Sequence, residues 1–267
     1  MPRAIGTMRS TTTFSKNMHR FHLGPELWDS ATLDESESHH CLNVLRLAEG
    51  DRVTVFDGFG REAQAILGPK KGSRATLSLS LVSKNPPPPC AITLAQAVPK
   101  GKNMDLIVQK AVELGAARVV PLLSDRTVVQ LDRDDIARKQ EKWQTVALEA
   151  CKQCGQNHLP EIAPPIPAKD FLERLERNQL LLIASLQPGA RRLKDVLAEF
   201  SSLHGSLPQA VTVLVGPEGD FTPAEIALAK SHGCQPITLG PIILRTETAA
   251  LYCLSVLAHE LFIPAEA

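Results

Sequence analysis

The sequence predicts two regions of different fold class, a smaller mostly-β region followed by a larger α/β region with a mainly parallel sheet. In residues 18–85 polar and apolar side chains alternate over short stretches, as in strands that bury one face. Four consecutive prolines, Pro86–Pro89, then interrupt the chain, because they can continue neither a helix nor a central strand. Beyond them, continuous apolar runs alternate with helical patterns, which is typical of a parallel sheet covered by helices. We therefore predict domains at 18–85 and 91–267, joined by a Pro-rich linker at 86–90.

Residues 1–17 contain no Asp or Glu and are rich in Ser and Thr. We predict a disordered leader; a targeting peptide and an upstream start codon, with the natural start at Met18, are the alternatives. A secretory signal is not predicted, because the segment lacks the apolar run that such signals require.

The β region contains three alternating stretches and one short helix. The turn Asp57–Gly60 separates the first two strands, and this arrangement predicts a small barrel or a curled sheet. The predicted strands are Arg52–Phe56, Glu62–Leu67 and Ala75–Val82, and the predicted helix is His39–Leu47.

In the α/β region, predicted strands and helices alternate along the chain. Asn103 is predicted to cap its first helix, which ends at Leu114 before Gly115, and Gly155 is predicted to end the second helix. Apolar runs over Leu180–Ser185 and Val211–Val215 predict strands that are buried on both faces. The remaining predicted elements are the strands Ile92–Val98 and Arg118–Leu123 and the helix Asp134–Cys154.

The composition excludes several classes of protein. The chain has 29 basic and 29 acidic residues and is 43% hydrophobic, so neither global disorder nor a general polycation is predicted. No apolar run approaches the about 20 residues that span a bilayer. Six cysteines in 267 residues are too few for a disulfide scaffold, which favours a reducing compartment such as the cytoplasm.

Two glycine-containing loops are the strongest local signals for a ligand site. The strand Val211–Val215 ends at Gly216, and a turn then leads into a helix that Thr222 caps, with Pro223 and Glu225 completing a capping box. One unit later, a short strand ends at Gly240, and a loop leads to a helix that begins near Thr246 and that Pro264 ends. In open α/β sheets ligands bind at the carboxyl ends of strands, where such loops lie.

The two loops also indicate what kind of ligand binds. Neither contains G-x-G-x-x-G nor G-x-x-x-x-G-K, the patterns that hold dinucleotides and nucleoside triphosphates. A ligand held by backbone groups and apolar contacts is therefore predicted. Taken alone, the first loop could equally be an ordinary connection between a strand and a helix.

The motifs V-G-P-E-G at Val215–Gly219 and L-G-x-x-I-L-R-T-E-T-A at Leu239–Ala249 resemble the SPOUT class of methyltransferases. Among these, the chain is most similar to the bacterial family that methylates N3 of uridine in 16S ribosomal RNA. The similarity extends from about residue 18 to residue 262. Further matching segments are His39–Arg46, Lys100–Gly115 and Glu149–Ile162.

This resemblance implies a fold, a cofactor and partners. The implied fold is a C-terminal SPOUT-type parallel-sheet domain with a trefoil knot and a smaller N-terminal PUA-like β-barrel domain that binds RNA. The cofactor would be S-adenosyl-L-methionine, the partners 16S ribosomal RNA in the small ribosomal subunit and a second copy of the chain, with neither membrane nor metal. The cofactor residues expected from the motif match are Ser185, Leu186, Leu214, Gly216, Pro217, Glu218, Gly219, Leu239, Gly240, Ile243, Leu244, Thr246 and Ala249.

Methylation at N3 of uracil requires loss of a proton from a weak nucleophile. A base must accept that proton, or a cation must stabilise the charge that develops on the carbonyl oxygens. Our hypothesis is that Arg245 stabilises the anion or orients the uracil and that Glu218 or Glu247 assists deprotonation. The structural alternative is that Arg245 only forms an ion pair with Glu247 or with another carboxylate at a helix start.

RNA contacts are predicted at basic residues, because Lys and Arg neutralise phosphates. The candidates are Arg46, Lys100, Lys102, Lys110 and Arg126. The sequence also departs from the family pattern, with Asp220 where Gly is frequent and with Gln156 and Ile242 where Arg is frequent. These departures leave the details of RNA binding open.

Other functions are less favoured by the sequence. The pair Cys151 and Cys154 has metal-ligand spacing, but no second pair accompanies it and a metal site is not predicted. One alternative function is a SPOUT methyltransferase that acts on another base or on a ribose 2′-hydroxyl. The other is a non-catalytic RNA-binding protein of ribosome assembly.

Overall fold

The computed structural model describes residues 18–127, 131–175 and 179–263. The predicted leader at 1–17 and the predicted helix end at Pro264 lie outside these ranges. The described chain forms two compact units. The first contains the described residues up to Val55 together with Ala63–Val82, and the second contains Phe56–Glu62 and the described residues from Ser83 onward. The sequence treats 18–85 as one continuous domain, whereas the structure places Phe56–Glu62 in the second unit.

The first unit is built on a four-stranded sheet with the strand order β1-β2-β3-β4. Its apolar core is separate from those of the second unit and includes Phe21, Leu33 and Val55. The strands are β1 (Arg20–His22), β2 (Arg52–Phe56), β3 (Arg61–Leu67) and β4 (Leu77–Lys84).

The helical segment of the first unit begins earlier than the sequence predicted. Helix α1 covers Glu35–His39 and continues into one π-helical turn, His40–Val44, whereas His39–Leu47 was expected. The reason is an N-cap that the prediction missed. The Asp34 carboxylate accepts a hydrogen bond from the Glu37 amide at 2.7 Å and so starts the helix four residues early.

The turn between β2 and β3 packs within the second unit. The Gly60 amide donates to the Asn157 carbonyl at 3.0 Å, and the Gly60 carbonyl accepts from the Asn85 amide at 2.8 Å. Gly60 has a φ of +94°, and a Cβ there would lie 2.4 Å from the Asn85 oxygen and 2.7 Å from the His158 ring. Only glycine fits this position. Phe56, at the start of the segment, is fully buried in the main core of the second unit.

The second unit contains an eight-stranded sheet whose paired strands run parallel. The order is β10-β12-β9-β11-β5-β6-β7, and β8 pairs with β6. The strands are β5 (Ala91–Ala97), β6 (Arg118–Leu123), β7 (Glu161–Ile162), β8 (Ile166–Pro167), β9 (Leu180–Ala184), β10 (Arg191–Arg192), β11 (Ala210–Val215) and β12 (Gln235–Thr238). The sequence did not reveal β7, β8 and β10, because segments of two residues are too short to show a pattern.

Helices cover both faces of this sheet. Strand β11 illustrates the reason, because its successive side chains point to opposite faces and are apolar on both. Val211, Val213 and Val215 contribute to one apolar core, and Leu214 contributes to the other. On the first face lie α2 (Asn103–Glu113), α3 (Arg133–Cys154), α5 (Leu193–His204) and α7 (Thr246–Phe262). On the second face lie α4 (Ala168–Glu173) and α6 (Pro223–Ser231).

In the second unit, two predicted glycine helix ends are confirmed and one predicted N-cap is not. Gly155 is left-handed at the end of α3, and Gly115 follows α2 with a φ of +78°, as predicted. The prediction that Asn103 caps α2 is wrong, because Lys102 occupies the N-cap position and makes no side-chain capping bond. In the described ranges, none of the helices is long and apolar enough to cross a membrane.

Candidate active site

The candidate site lies where β9, β11 and β12 end at one edge of the sheet. The register aligns Leu214 of β11 with Ile183 of β9, and Ile237 of β12 with Ala184 of β9. The loops that follow these three strands therefore emerge side by side. Together they enclose a pocket of about 560 Å³ that is open to solvent.

The pocket is mainly apolar, with backbone groups of the three loops exposed between the side chains. Most of the predicted cofactor residues line it, but Leu214 is buried in a core and Gly219 is not among the lining residues. The lining residues are Ala184, Ser185, Leu186, Val215, Gly216, Pro217, Glu218, Asp220, Leu239, Gly240, Ile242, Ile243, Leu244, Thr246 and Ala249.

Four lining residues were not among the predicted cofactor residues. Ala184 and Val215 are the last residues of β9 and β11, so the ends of the two apolar runs would have indicated them. Asp220 and Ile242 were noted only as departures from a family pattern. Their position in the pocket could not be read from the sequence.

The first loop, Gly216–Thr222, is held by a buried carboxylate. Thr222 and Glu225 form the predicted capping box, which is confirmed: the Thr222 amide donates to Glu225 Oε2 at 2.8 Å, and the Glu225 amide donates to Thr222 Oγ1. Glu225 also accepts from Ser124 Oγ and from the Asp125 amide, both at 3.1 Å. One buried side chain thus connects α6, the first loop and the segment after β6.

Two of the basic residues that were predicted to bind RNA form hydrogen bonds with the first loop. The Arg126 guanidinium donates to the Gly219 carbonyl, and the Lys100 amide donates to Glu218 Oε1 at 2.9 Å. The Lys100 ammonium group remains exposed. These contacts further restrict the positions of Glu218 and Gly219.

A buried hydrogen-bond chain connects the first loop to the start of α7. Gln96, at the end of β5, has no exposed surface and donates through Nε2 to Thr246 Oγ1 at 3.0 Å. Thr246 Oγ1 in turn donates to the Gly216 carbonyl at 2.6 Å. No part of this chain was predicted, because Gln96 and Thr246 are 150 residues apart.

The second loop, Leu239–Arg245, is held by far fewer contacts. The Gly240 amide donates to Thr238 Oγ1 at 3.3 Å, and Gly240 has a φ of +114°. The side chains of Ile242 and Ile243 are 73% and 77% exposed although both line the pocket. Arg245 occupies the N-cap position of α7 without a capping side-chain bond.

The three predicted catalytic residues surround the pocket but do not all line it. Glu218 lines it, whereas Arg245 is exposed between two lining residues, Leu244 and Thr246. Glu247 lies in the first turn of α7. Within the described ranges no ion pair joins Arg245 to Glu247, so the structural alternative for Arg245 finds no support in this geometry.

The remaining RNA candidates belong to other elements of the chain. Lys110 forms an ion pair with Glu113 at 2.8 Å on α2, and Lys102 precedes that helix. Arg46 lies in the first unit and is exposed, with a φ of +56°. Within the described part of the second unit, Lys100 and Arg126 are the candidates that contact the first loop.

The cysteines are not suited to nucleophilic chemistry at this site. Burial raises the pKa of the Cys234 and Cys253 thiols to about 12, so both stay protonated at neutral pH. Across the described part of the chain, no cluster of three or more His, Cys, Asp or Glu side chains could hold a metal ion. Cys151 is buried and Cys154 is exposed.

Comparison with known proteins identifies the family. A family model described as RNA methyltransferase domain matches residues 86–258, and one described as RNA methyltransferase PUA domain matches residues 33–77. Ribosomal RNA small subunit methyltransferase E of Bacillus subtilis is 32% identical over 227 residues, which cover 84% of this chain and 88% of that protein. The protein of the same name from Synechocystis is 33% identical over 239 residues, covering 89% and 76% of the two chains.

Solved structures agree with this assignment. Ribosomal RNA small subunit methyltransferase E from Neisseria gonorrhoeae, bound to S-adenosyl methionine, superimposes with a TM-score of 0.79 at 33% identity and covers 91% of this chain and 98% of that one. A Legionella pneumophila protein with bound SAM gives a TM-score of 0.80 at 32% identity, with the same coverage. With its PUA-like N-terminal unit and its parallel α/β unit, this chain belongs to the RNA methyltransferase family that includes the ribosomal RNA small subunit methyltransferase E proteins.

Proposed function

We propose that this protein transfers a methyl group from S-adenosyl-L-methionine to N3 of a uridine in 16S ribosomal RNA of the small ribosomal subunit. The observation that carries the proposal is the pocket at the ends of β9, β11 and β12, which gathers the two methyltransferase motifs of the sequence. Family membership supports methylation of ribosomal RNA, and the chemistry of the pocket supports the cofactor.

The residues of the pocket fit S-adenosylmethionine. Leu186, Leu239 and Ile243 offer apolar surface for an adenine ring and for the methylene groups of the methionine part, as ligand pockets commonly do. At the first loop, the buried oxygen Asp220 Oδ2 has no hydrogen-bond partner among the described residues. A nucleoside with hydroxyl and ammonium donors matches such a pocket better than a ligand that carries phosphates.

The bound cofactor supplies an activated methyl group. The protein must position the uracil and remove the proton from its N3. Glu218, an exposed residue that lines the pocket, would accept the N3 proton, with Glu247 as the second candidate. Arg245, which is exposed and follows the lining residue Leu244, would stabilise negative charge on the uracil carbonyl oxygens. Positioning of the base supplies much of the rate in an in-line transfer.

We further propose that the site is completed by a second copy of the chain. Exposed apolar side chains surround the pocket mouth, where Leu186, Ile242 and Ile243 would otherwise face water. Tyr252, on α7, is a further exposed apolar side chain of the second unit. A homodimer acting on ribosomal RNA in the cytoplasm would cover these residues and leave Lys100 near the bound RNA.

Mass spectrometry of ribosomal RNA tests the proposed reaction. Small subunits lacking the modification are incubated with the protein and S-adenosylmethionine, and the RNA is digested to nucleosides. We expect one new methylated nucleoside that co-elutes with 3-methyluridine. A methyl group on ribose or on another base would instead support the alternative of a different RNA target.

Calorimetry separates an enzyme from a non-catalytic assembly protein. We expect S-adenosylmethionine to bind the isolated protein with one site per chain. Binding of ribosomal RNA without any binding of the cofactor would contradict the proposed function and would favour a role in ribosome assembly.

A further inference from the structure

Asp220 occupies the pocket in a conformation that is costly for the protein alone. Its φ is +62°, in the left-handed region that glycine adopts freely and other residues adopt at a cost. The turn is closed by the Asp220 amide, which donates to the Pro217 carbonyl at 3.0 Å. The backbone therefore requires this conformation, and a glycine would satisfy it without strain.

The two oxygens of the Asp220 carboxylate have different surroundings. Oδ1 accepts a hydrogen bond from the Phe221 amide at 2.8 Å, and it lies against Gly216, where a Cβ would approach it to 3.2 Å. Oδ2 is buried and has no hydrogen-bond partner among the described residues. A buried carboxylate oxygen without a donor destabilises a folded protein.

Strain and an unpaired acceptor thus coincide at one residue that lines the pocket. An ionised carboxylate only accepts hydrogen bonds, so the missing partner must be a donor. Most of the side chains around the pocket are apolar, and the nearby guanidinium of Arg126 donates to the Gly219 carbonyl. The donor is therefore best supplied by the ligand itself.

We propose that Asp220 is a cofactor-positioning residue, whose Oδ2 accepts a hydrogen bond from an O–H or N–H group of the bound nucleoside. This inference rests on the proposed function, because it assumes that S-adenosylmethionine occupies the pocket. The cofactor offers three kinds of donor, the ribose hydroxyls, the 6-amino group of adenine and the α-ammonium group. Any one of them would pair the buried oxygen and would offset the cost of the left-handed backbone.

The variant Asp220→Asn isolates the role of this one oxygen. An asparagine tolerates the left-handed conformation and still accepts from the Phe221 amide, but it presents an amide N–H group where Oδ2 was. Asp220→Gly removes both the strain and the acceptor. Asp134→Asn, at an exposed position in the first turn of α3, is the matched control for the loss of one negative charge.

Calorimetric titration of each variant with three ligands tests the proposal. S-adenosylmethionine and S-adenosylhomocysteine carry all three kinds of donor, whereas 5′-methylthioadenosine carries those of the ribose and the adenine but lacks the ammonium group. We expect Asp220→Asn and Asp220→Gly to weaken binding of the first two about tenfold, the worth of one hydrogen bond to a charged group. The control should bind as the unaltered protein does.

The third ligand identifies the donor. Equal weakening for methylthioadenosine assigns the partner of Oδ2 to the ribose or the adenine, and unchanged binding of methylthioadenosine assigns it to the ammonium group; both outcomes support the proposal. Weakening for S-adenosylmethionine alone would indicate attraction to the sulfonium charge and would overturn the hydrogen bond.

Folding and function are checked separately. The ligand-free Asp220→Gly protein should unfold at a temperature no lower than the unaltered protein, because the strain is removed. Unchanged affinities in Asp220→Asn would refute the role of Asp220 while leaving the proposed function intact. Failure of the unaltered protein to bind S-adenosylmethionine would instead count against the proposed function itself.

Discussion

The two loops that form the pocket are built in opposite ways. The first, Gly216–Thr222, is fixed by the buried Glu225 carboxylate, by the Arg126 guanidinium and by the Thr246 hydroxyl. The second, Leu239–Arg245, has one weak side-chain bond at Gly240 and exposes Ile242 and Ile243. Both follow a parallel strand and lead into a helix, so the difference does not come from topology.

This difference suggests that the two loops contribute to ligand binding in different ways. A loop fixed by buried hydrogen bonds keeps its shape before a ligand arrives, which lowers the entropic cost of binding. A loop with exposed apolar side chains gains its contacts only when a ligand or a partner covers it. We therefore expect substitutions that remove the buried hydrogen bonds holding the first loop to lower stability and affinity together, and substitutions in the second loop to change function alone.

The largest effect is expected from Arg245→Ala in the second loop. Loss of the guanidinium should lower the turnover number about a hundredfold or more, in the range seen when a group that stabilises developing charge is removed. The affinity for S-adenosylmethionine should stay within about twofold, because Arg245 does not line the pocket. Single-turnover methylation and calorimetry measure the two quantities. Loss of cofactor binding would contradict the role given to Arg245.

Glu225→Ala should produce the largest loss of stability. The substitution leaves the buried Ser124 hydroxyl and the partly buried amides of Asp125 and Thr222 without their acceptor. We expect the free energy of unfolding to fall by about 3 kcal/mol and the cofactor affinity to fall with it. Asp134→Ala, another acid in a first helical turn but an exposed one, should cost less than about 0.5 kcal/mol. If both substitutions lowered the free energy of unfolding equally in urea denaturation, the buried Glu225 would not fix the first loop more firmly than the second.

Thr246→Val should have an intermediate effect, because it interrupts the chain from Gln96 to Gly216. The isosteric methyl group leaves Gln96 Nε2 with only the Ala97 carbonyl as its acceptor and leaves the Gly216 carbonyl without its donor. We expect a loss of about 1–2 kcal/mol in the free energy of unfolding. Thr246→Ser, which keeps the hydroxyl, should recover most of the lost stability. If the Thr246→Val and Thr246→Ser variants proved equally stable, the hydrogen-bond chain would not contribute to the free energy of unfolding.

Ile243→Ala should have the smallest effect. Its side chain is already exposed, so the free energy of unfolding should change by less than about 0.5 kcal/mol. Binding of S-adenosylmethionine should nevertheless weaken about threefold to tenfold, because the ligand covers this apolar surface. A marked loss of stability would show that the second loop is fixed as firmly as the first.

Local signals in the sequence predicted the framework of the pocket. Strands β6 and β11 and the capping box at Thr222 follow from apolar runs and from residue types that act within four positions of one another. The same reasoning failed at α2, where Asn103 stands one position inside the helix that it was expected to cap. Such an error is typical of helix ends, where neighbouring residues compete for the N-cap position.

Contacts between distant segments were beyond the reach of the sequence. The bonds from Gln96 to Thr246 and from Arg126 to Gly219 join residues that are 150 and 93 positions apart. Asp220 was noticed only as an unusual residue in a family motif, and its left-handed backbone explains why glycine is suited to that position. The trefoil knot was likewise expected through family resemblance alone and not from any pattern in the chain.

The turn Phe56–Glu62 limits how this protein could be recombined during evolution. The chain passes from one unit to the other between residues 55 and 56, 62 and 63, and 82 and 83. A gene segment exchanged at the proline run would therefore remove the Phe56 ring, which fills part of the main core of the second unit. It would also remove Gly60, whose amide donates to the Asn157 carbonyl. A foreign N-terminal segment could replace the native one only if its own hairpin tip matched the Asn157–His158 loop, so the two parts of the gene should be inherited together.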